Sequence, residues 1–354
     1  FELENWEEST KKTLDKEKIL NQHNYIVNLK WTNQEENNDQ NNTLLNELEK
    51  NSIILEQILY LQQGMILQCG SGKDKKTKAE YIFGEKKRNF LPYIEGKDTE
   101  RYFLPEKHRW VNYKPNEHHR PRMKEVFENT KLLVRRISTD SLVTMIDAGY
   151  FFTDNTLYTG TRWNDLKKIR PEYKVQISKA ENKISKTFKE LCDVSEKFEY
   201  EYLLALINSR LLTFYYEKKF NTKSINVLVK CYIKETSKNN QKIIGMVARI
   251  IQILNSKNIQ KHHLDYDVLD CLIYEIYLQD SLKTNLMSKV EYYLKRFDKK
   301  KSKDFTLDQC KKINKEIEDD KNISLEIKKI RSNKMVKIVE KDTGFFVPSI
   351  SELV

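Results

Sequence analysis

The sequence predicts an α+β chain, a β-rich half followed by a helical one, and three observations carry that expectation. Between residues 77 and 177, short runs rich in Val, Ile, Tyr and Phe are punctuated by Gly, Pro, Asn and Asp, as in short strands joined by turns. Beyond residue 198, apolar residues recur every three or four positions instead, and glycine occurs only twice and proline once. Finally, 39% hydrophobic and 11% aromatic residues accompany 32% charged ones, the balance of a folded protein with a heavily solvated surface. A length of 354 residues favours two domains over one.

Taken in order, residues 1–42 read as a linker or the end of a preceding domain. They open acidic, hold one short strand at 25–31 and end in the polar run NQEENNDQNN. The absence of an initiator methionine suggests the remainder of a longer protein. A β-rich domain is expected over 43–197 and a helical domain over 198–354. In the first, Leu44, Leu45, Leu48, Leu55, Ile58 and Leu59 predict one or two short helices, and the glycines of 64–72 predict a tight turn. Strands are expected at 79–83, 110–113, 132–137, 142–146, 150–153, 156–159 and 173–177, followed by a polar hinge over 178–197. In the second, helices are expected at 200–216, 243–254, 264–277, 286–297 and 307–330, the first carrying a polar Asn208-Ser209-Arg210 triplet in its middle.

Charge narrows the function. The net charge is +11, and within residues 107–136 nine Lys or Arg stand against three Glu, with Trp110 and Tyr113 between them. Arg and Lys neutralise phosphates while aromatic and polar groups reach sugars or bases, so this stretch is a nucleic-acid candidate. A Walker loop fails, because Leu67 and Asp74 stand where Gly and Ser or Thr are needed. The pairs His118-His119 and His262-His263 lack neighbours at ligand spacing, which disfavours a metal site. Five widely spaced cysteines without a CxxC pair argue against a zinc ribbon or disulfide framework and suit a reducing cytosol. Neither a signal peptide nor a membrane-length apolar run occurs, so no membrane partner is expected. No Pro-Pro and no glycine-rich turn of the dinucleotide-binding kind occurs, so no catalytic site is expected within these residues.

Several blocks resemble a known family. Leu91-Pro92-Tyr93-Ile94-Glu95-Gly96-Lys97-Asp98 with Arg101-Tyr102 resembles the Gly-Lys-Asp block of the TaqI-like C-terminal specificity domain, with Thr99 replacing its Ile. Gly64-Met65, Asp154-Asn155-Thr156 with Tyr158, the helix block 202–209 and the block 273–277 continue the likeness over 44–280, whereas 221–262 departs from it. Such domains are the DNA target-recognition parts of adenine-N6 methyltransferases and of single-chain restriction–modification enzymes. The Lys-, Asn- and Ile-rich composition suits a low-GC bacterium, and the chain resembles the recognition half of a clostridial orphan adenine methyltransferase. The resemblance implies duplex DNA and an amino-terminal methyltransferase domain as partners, with S-adenosylmethionine held by that domain and no cofactor in this chain. It also implies a cytoplasmic, nucleoid-associated bacterial protein. The alternative is a non-catalytic specificity subunit serving a separate methyltransferase chain; a protein-interaction module with an incidental basic face is a third reading.

Within that frame, Lys73, Lys75, Lys76, Arg120, Arg122, Arg135, Arg136 and Arg162 are the candidates for backbone contacts. Lys97, Asp98, Arg101, Tyr102, Asn155, Tyr158 and Trp163 are the candidates for base or groove contacts. Structural roles compete for several of these: Asp98 and Arg101 could pair with each other, and Tyr102, Tyr158 and Trp163 could be core.

Overall fold

The computed structural model describes residues 35–68, 76–118, 122–136, 142–166, 171–220, 225–259, 263–298 and 305–343. The expected strand at 25–31 lies outside them. Helix α1 (Glu35–Glu49) is followed by β1 (Ser52–Ile54), the single turn α2 (Leu55–Ile58) and β2 (Leu59–Gln63). Strands β3 (Ile82–Phe83), β4 (Leu91–Ile94) and β5 (Arg109–Val111) precede the short helix α3 (Lys124–Glu128). Then come β6 (Lys131–Arg135), β7 (Thr144–Asp147), β8 (Phe152–Thr153) and β9 (Leu157–Arg162).

Strands β2 to β9 form two four-stranded sheets. The larger runs β2-β9-β6-β7, antiparallel throughout; the smaller runs β3-β5-β4-β8, with β4 and β8 parallel. Alternation along β6 explains its unbroken apolar run. Leu132 and Val134 join the core shared with the helices, while Leu133 turns to the other side, against Ile94, Met145 and Leu157. A strand buried on both faces has no polar face to show. At the far end of the β6–β7 hairpin, Lys131 and Asp147 are register partners and form a buried ion pair. Asp147 also accepts from the backbone N–H groups of Tyr150 (3.0 Å) and Phe151 (2.8 Å), which fixes the turn into β8.

The helical half comprises α4 (Lys174–Ile184), α5 (Phe188–Ser195), α6 (Tyr200–Asn208), α7 (Arg210–Lys219), α8 (Ile225–Leu228), strand β10 (Tyr232–Lys234) and α9 (Lys238–Asn255). A π-helical segment (His263–Leu269) then runs into α10 (Asp270–Tyr277), followed by α11 (Leu286–Asp298), α12 (Leu307–Glu318), α13 (Lys321–Ser332) and α14 (Lys334–Asp342). Among the described residues no helix is long and apolar enough to cross a membrane. Strand β10 pairs with β1, and one core runs from α1 through the larger sheet into these helices.

Four expectations need correction. Residues 173–177 are not a strand. Their alternation also fits a helical stripe, and Tyr173, Ile177, Ala180 and Ile184 together cover Trp163 and Leu166 while Val175 points outward. The polar stretch 178–197 is therefore no hinge: α4 and α5 are packed against the sheet domain. The helix expected over 200–216 breaks at Ser209, whose backbone is extended and whose hydroxyl accepts from the Leu212 N–H at 3.1 Å. Likewise 307–330 breaks at Asp320, whose side chain caps α13.

The break at Ser209 gives each residue of the polar triplet a task. Asn208 donates to and accepts from the backbone of Thr144 on the edge strand β7, the Thr144 carbonyl also accepting from the Tyr102 N–H. Ser209 caps α7, and Arg210 turns inward to Asp270 at 3.4 Å. Ser209→Ala should therefore lower stability by about 1 kcal/mol, the usual cost of losing an N-cap, seen as a reduced urea midpoint. An unchanged midpoint would deny the cap any energetic role.

Candidate nucleic-acid interface

Three segments far apart in sequence meet at one edge of the sheets. The Gly64 N–H donates to the Leu157 carbonyl (3.0 Å) and the Met65 N–H to that of Thr153 (2.9 Å). A Cβ at Gly64 would lie 2.0 Å from the Asp154 carbonyl oxygen, so only glycine lets these two backbones touch. From the second segment, the Gly96 N–H donates to the Thr156 hydroxyl at 2.7 Å. The third, Asp154-Asn155-Thr156, is held by the Asp154 carboxylate, which accepts from both the N–H and the hydroxyl of Thr156.

An ion network fastens the three together. Lys78 bonds the carboxylates of Asp154 and Glu95, the latter at 2.8 Å. Arg109 reaches Glu95 at 3.1 Å and Asp98 at 2.8 Å, and Lys97 approaches Glu95 at 3.3 Å. Burial alone would push the Glu95 carboxyl up, but hydrogen bonds and charge from Lys78 and Arg109 outweigh it and hold it down at about 2. Lys78, Lys97 and Arg109 thus balance Glu95, Asp98 and Asp154. With no net charge, the network cannot attract phosphate; it can hold loops in place.

Around this framework the structure gathers five of the expected site residues. Lys97 is exposed beside Gly96. Half-buried Asn155 lies at the turn, its carbonyl accepting from Gln63 at 3.1 Å. Exposed Arg136 donates its N–H to the Thr156 carbonyl at 3.0 Å, and Arg135 precedes it, opposite Leu157. The Arg122 side chain donates to the Gly64 carbonyl at 3.4 Å. Lys76 lies apart from these, paired with Glu117 at 3.1 Å.

Other expected contacts are committed to partners within the protein. Trp163 is 1% exposed and its indole donates to the Glu56 carbonyl at 2.9 Å; Tyr102 and Tyr158 lie in the main core. Arg162 is committed to Asp165 (3.0 Å) and to the Phe198 carbonyl (2.7 Å), with its guanidinium over the Tyr200 ring. Asp98 bonds Arg109, and Arg101 pairs not with Asp98 but with Asp265 of the π-helical segment, at 2.9 Å. For all six the sequence showed charge or aromaticity but not direction. Lys73, Lys75 and Arg120 lie outside the described residues.

Sequence reasoning missed the framework residues Lys78, Glu95 and Arg109, whose partners are distant in sequence. It also missed the exposed Lys86-Lys87-Arg88, a basic triplet between Phe83 and Phe90 that could have been noticed. The described members of the two histidine pairs have protein partners: His118 accepts from the Lys114 N–H at 3.1 Å, and burial lowers its pKa, while His263 meets Asp267 at 2.8 Å; His119 and His262 lie outside the described residues. Among the described residues no cluster of three or more His, Cys, Asp or Glu could hold a metal ion.

The whole framework except Gly64 and Lys78 falls within residues 91–177, which match the family model of the TaqI-like C-terminal specificity domain. This segment is similar to a TaqI-like specificity domain. It spans roughly a quarter of the chain, narrower than the likeness read from 44 to 280, and it singles out no individual enzyme. No curated protein matches the chain. The matched segment runs from the first residue of β4 to the first turn of α4, so it takes in most of both sheets. The family ties such a segment to DNA target recognition in proteins associated with methyltransferases.

Proposed function

We propose that this chain is the DNA-recognition part of an S-adenosylmethionine-dependent adenine-N6 methyltransferase, gripping duplex DNA for a catalytic domain amino-terminal to it. The observation that carries this reading is the convergence of the Gly64, Gly96 and Asp154 segments, which brings Lys97, Arg122, Asn155, Arg135 and Arg136 together within and beside a specificity domain. Arg135 and Arg136 contact phosphates, and Asn155 and Lys97 reach base edges. The described residues do not suit S-adenosylmethionine. Of the parallel pair, β8 leads into the Asp154 turn, whose groups are already bonded within the protein, and β4 into the single 3-10 turn Gly96–Asp98; neither leads into a glycine-rich turn opening an α-helix. The catalytic domain would hold that cofactor and flip the target adenine, because its N6 is inaccessible in stacked duplex.

The Arg135→Ala/Arg136→Ala variant should bind every duplex more weakly and reduce the slope of log affinity against log salt by about 2, close to 0.9 per phosphate contact. Fluorescence anisotropy across a salt series reads this directly, and an unaltered slope in a folded variant removes both residues from the interface. Asn155→Ala should instead leave the slope intact and relax preference for the host's methylated motif. The alternative, a specificity subunit serving a separate methyltransferase chain, is decided by the reading frame upstream of Phe1. An Asn-Pro-Pro-aromatic motif there supports the single-chain enzyme.

A further inference from the structure

One face of the smaller sheet takes no part in the framework above, and its chemistry is distinct. Phe83 and Pro92 flank Trp110 as register partners on β3 and β4, all three half-buried. Phe90 lies 4.7 Å from Phe83, His108 lies 4.9 Å from Trp110, and Tyr150 lies 5.4 Å beyond His108, between ring centroids. The result is a set of rings that crosses from β3 to β5 and continues through His108, beside β5, to the turn before β8. Tyr150 is 50% exposed, yet Asp147 holds its backbone N–H and Gly149 precedes it at φ +89°, so the ring is presented from a fixed turn.

Cations edge these rings. Lys86 places its ammonium 5.2 Å from the Trp110 ring centre and Lys87 places its own 4.9 Å from that of Phe83. Arg88 follows on the same exposed loop, and Lys107 adjoins His108. Glu85 is the one carboxylate within the loop 84–89. Among the described residues none of Lys86, Lys87, Arg88 or Lys107 has a carboxylate partner, whereas the framework cations all do. Charge of one sign was left unneutralised beside aromatic rings.

We infer that this face binds unpaired DNA, its rings stacking on two or three exposed bases and Lys86, Lys87 and Arg88 meeting the phosphates between them. Rings on a shallow sheet cannot enter a stacked duplex, but they offer a π-face to any base out of its stack. Four-stranded sheets with exposed aromatics flanked by basic residues bind single strands in this way. The inference rests on the proposed DNA role only for the kind of polymer; its residues are separate from those of the duplex edge.

The test compares the full chain with Tyr150→Ala and with Lys86→Ala/Lys87→Ala/Arg88→Ala. The probes are a fluorescein-labelled oligothymidylate of about 15 nucleotides and an unrelated duplex of about 20 base pairs. Tyr150→Ala should weaken oligothymidylate binding on the order of tenfold. The triple variant should reduce its salt slope by about 2, near 0.7 per phosphate. Duplex binding should change less than about twofold in both variants. The inference is overturned if the native chain ignores oligothymidylate, if neither variant alters its binding, or if duplex affinity falls equally. That last outcome would make the face a general phosphate contact. Should duplex selection fail while these single-strand results hold, the recognition reading falls and this one stands.

Discussion

Arg101→Ala is expected to destabilise the protein by about 3–5 kcal/mol, the cost of stripping one partner from a buried ion pair. Its guanidinium sits 2.9 Å from Asp265, above the rings of Tyr102 (5.2 Å) and Tyr266 (4.7 Å), and its carbonyl accepts from Asn255 at 2.9 Å. Removal takes away a cation that lies 2.9 Å from buried Asp265, which lies beside Asp270. The Asp270 carboxyl is already pushed up to about 7 by burial and by Asp265, against the pull of Arg210 and Arg101. A carboxyl whose folded pKa is raised above its unfolded value costs stability as pH rises. The deficit of the variant should therefore be larger near pH 8 than near pH 5, where a proton can relieve the stranded charge. Urea midpoints followed by circular dichroism at both values provide the measurement. A variant as stable as the native chain, but with relaxed DNA site preference, would instead make Arg101 a reader of bases.

Acidification tests the framework at the duplex edge. The Glu95 carboxyl, ordinarily near 4.5, is held at about 2 in the folded protein. Its contribution is therefore complete above pH 4.5 and is lost as pH falls toward 2. At about 1.4 kcal/mol per pKa unit, the amount at stake is about 3 kcal/mol. Between pH 7 and about 4, Asp270 works in the opposite sense, since its raised pKa favours the folded state as protons are added. Native stability should accordingly decline steeply only below about pH 4.5, and Glu95→Gln should flatten that decline. Parallel pH–stability curves for the native and Glu95→Gln proteins would mean that Lys78 and Arg109 do not depend on this carboxylate. Because the same network positions Asn155 and Lys97, Glu95→Gln should also weaken site selection at neutral pH.

Both residues show where sequence reading stops. Arg101 and Glu95 belong to one resemblant block and look alike as charged motif positions, yet one ties the specificity domain to the helices and the other ties two loops together. What separates them is the location of Asp265, 164 residues downstream, and of Lys78 and Asp154. The stretch 173–177 fails for a different reason. Its apolar residues fit both a period of two and one of 3.6, and only the presence of Trp163 and Leu166 beneath it selects the helix.

The sequence by itself determined the order of the two halves, the apolar faces of β6, α6 and α9, the glycines where backbones touch, and the motifs of a specificity domain. These follow from local periodicity and backbone sterics, which act over a few residues. The tertiary structure alone decided which of the described cations are paired with carboxylates and which are not. Arg101 and Arg109 are paired with carboxylates that folding brings to them, whereas among the described residues Arg136, Lys86, Lys87 and Arg88 have no carboxylate partner. A side chain's charge is written in the chain, but the field around it is summed over neighbours that only the fold assembles.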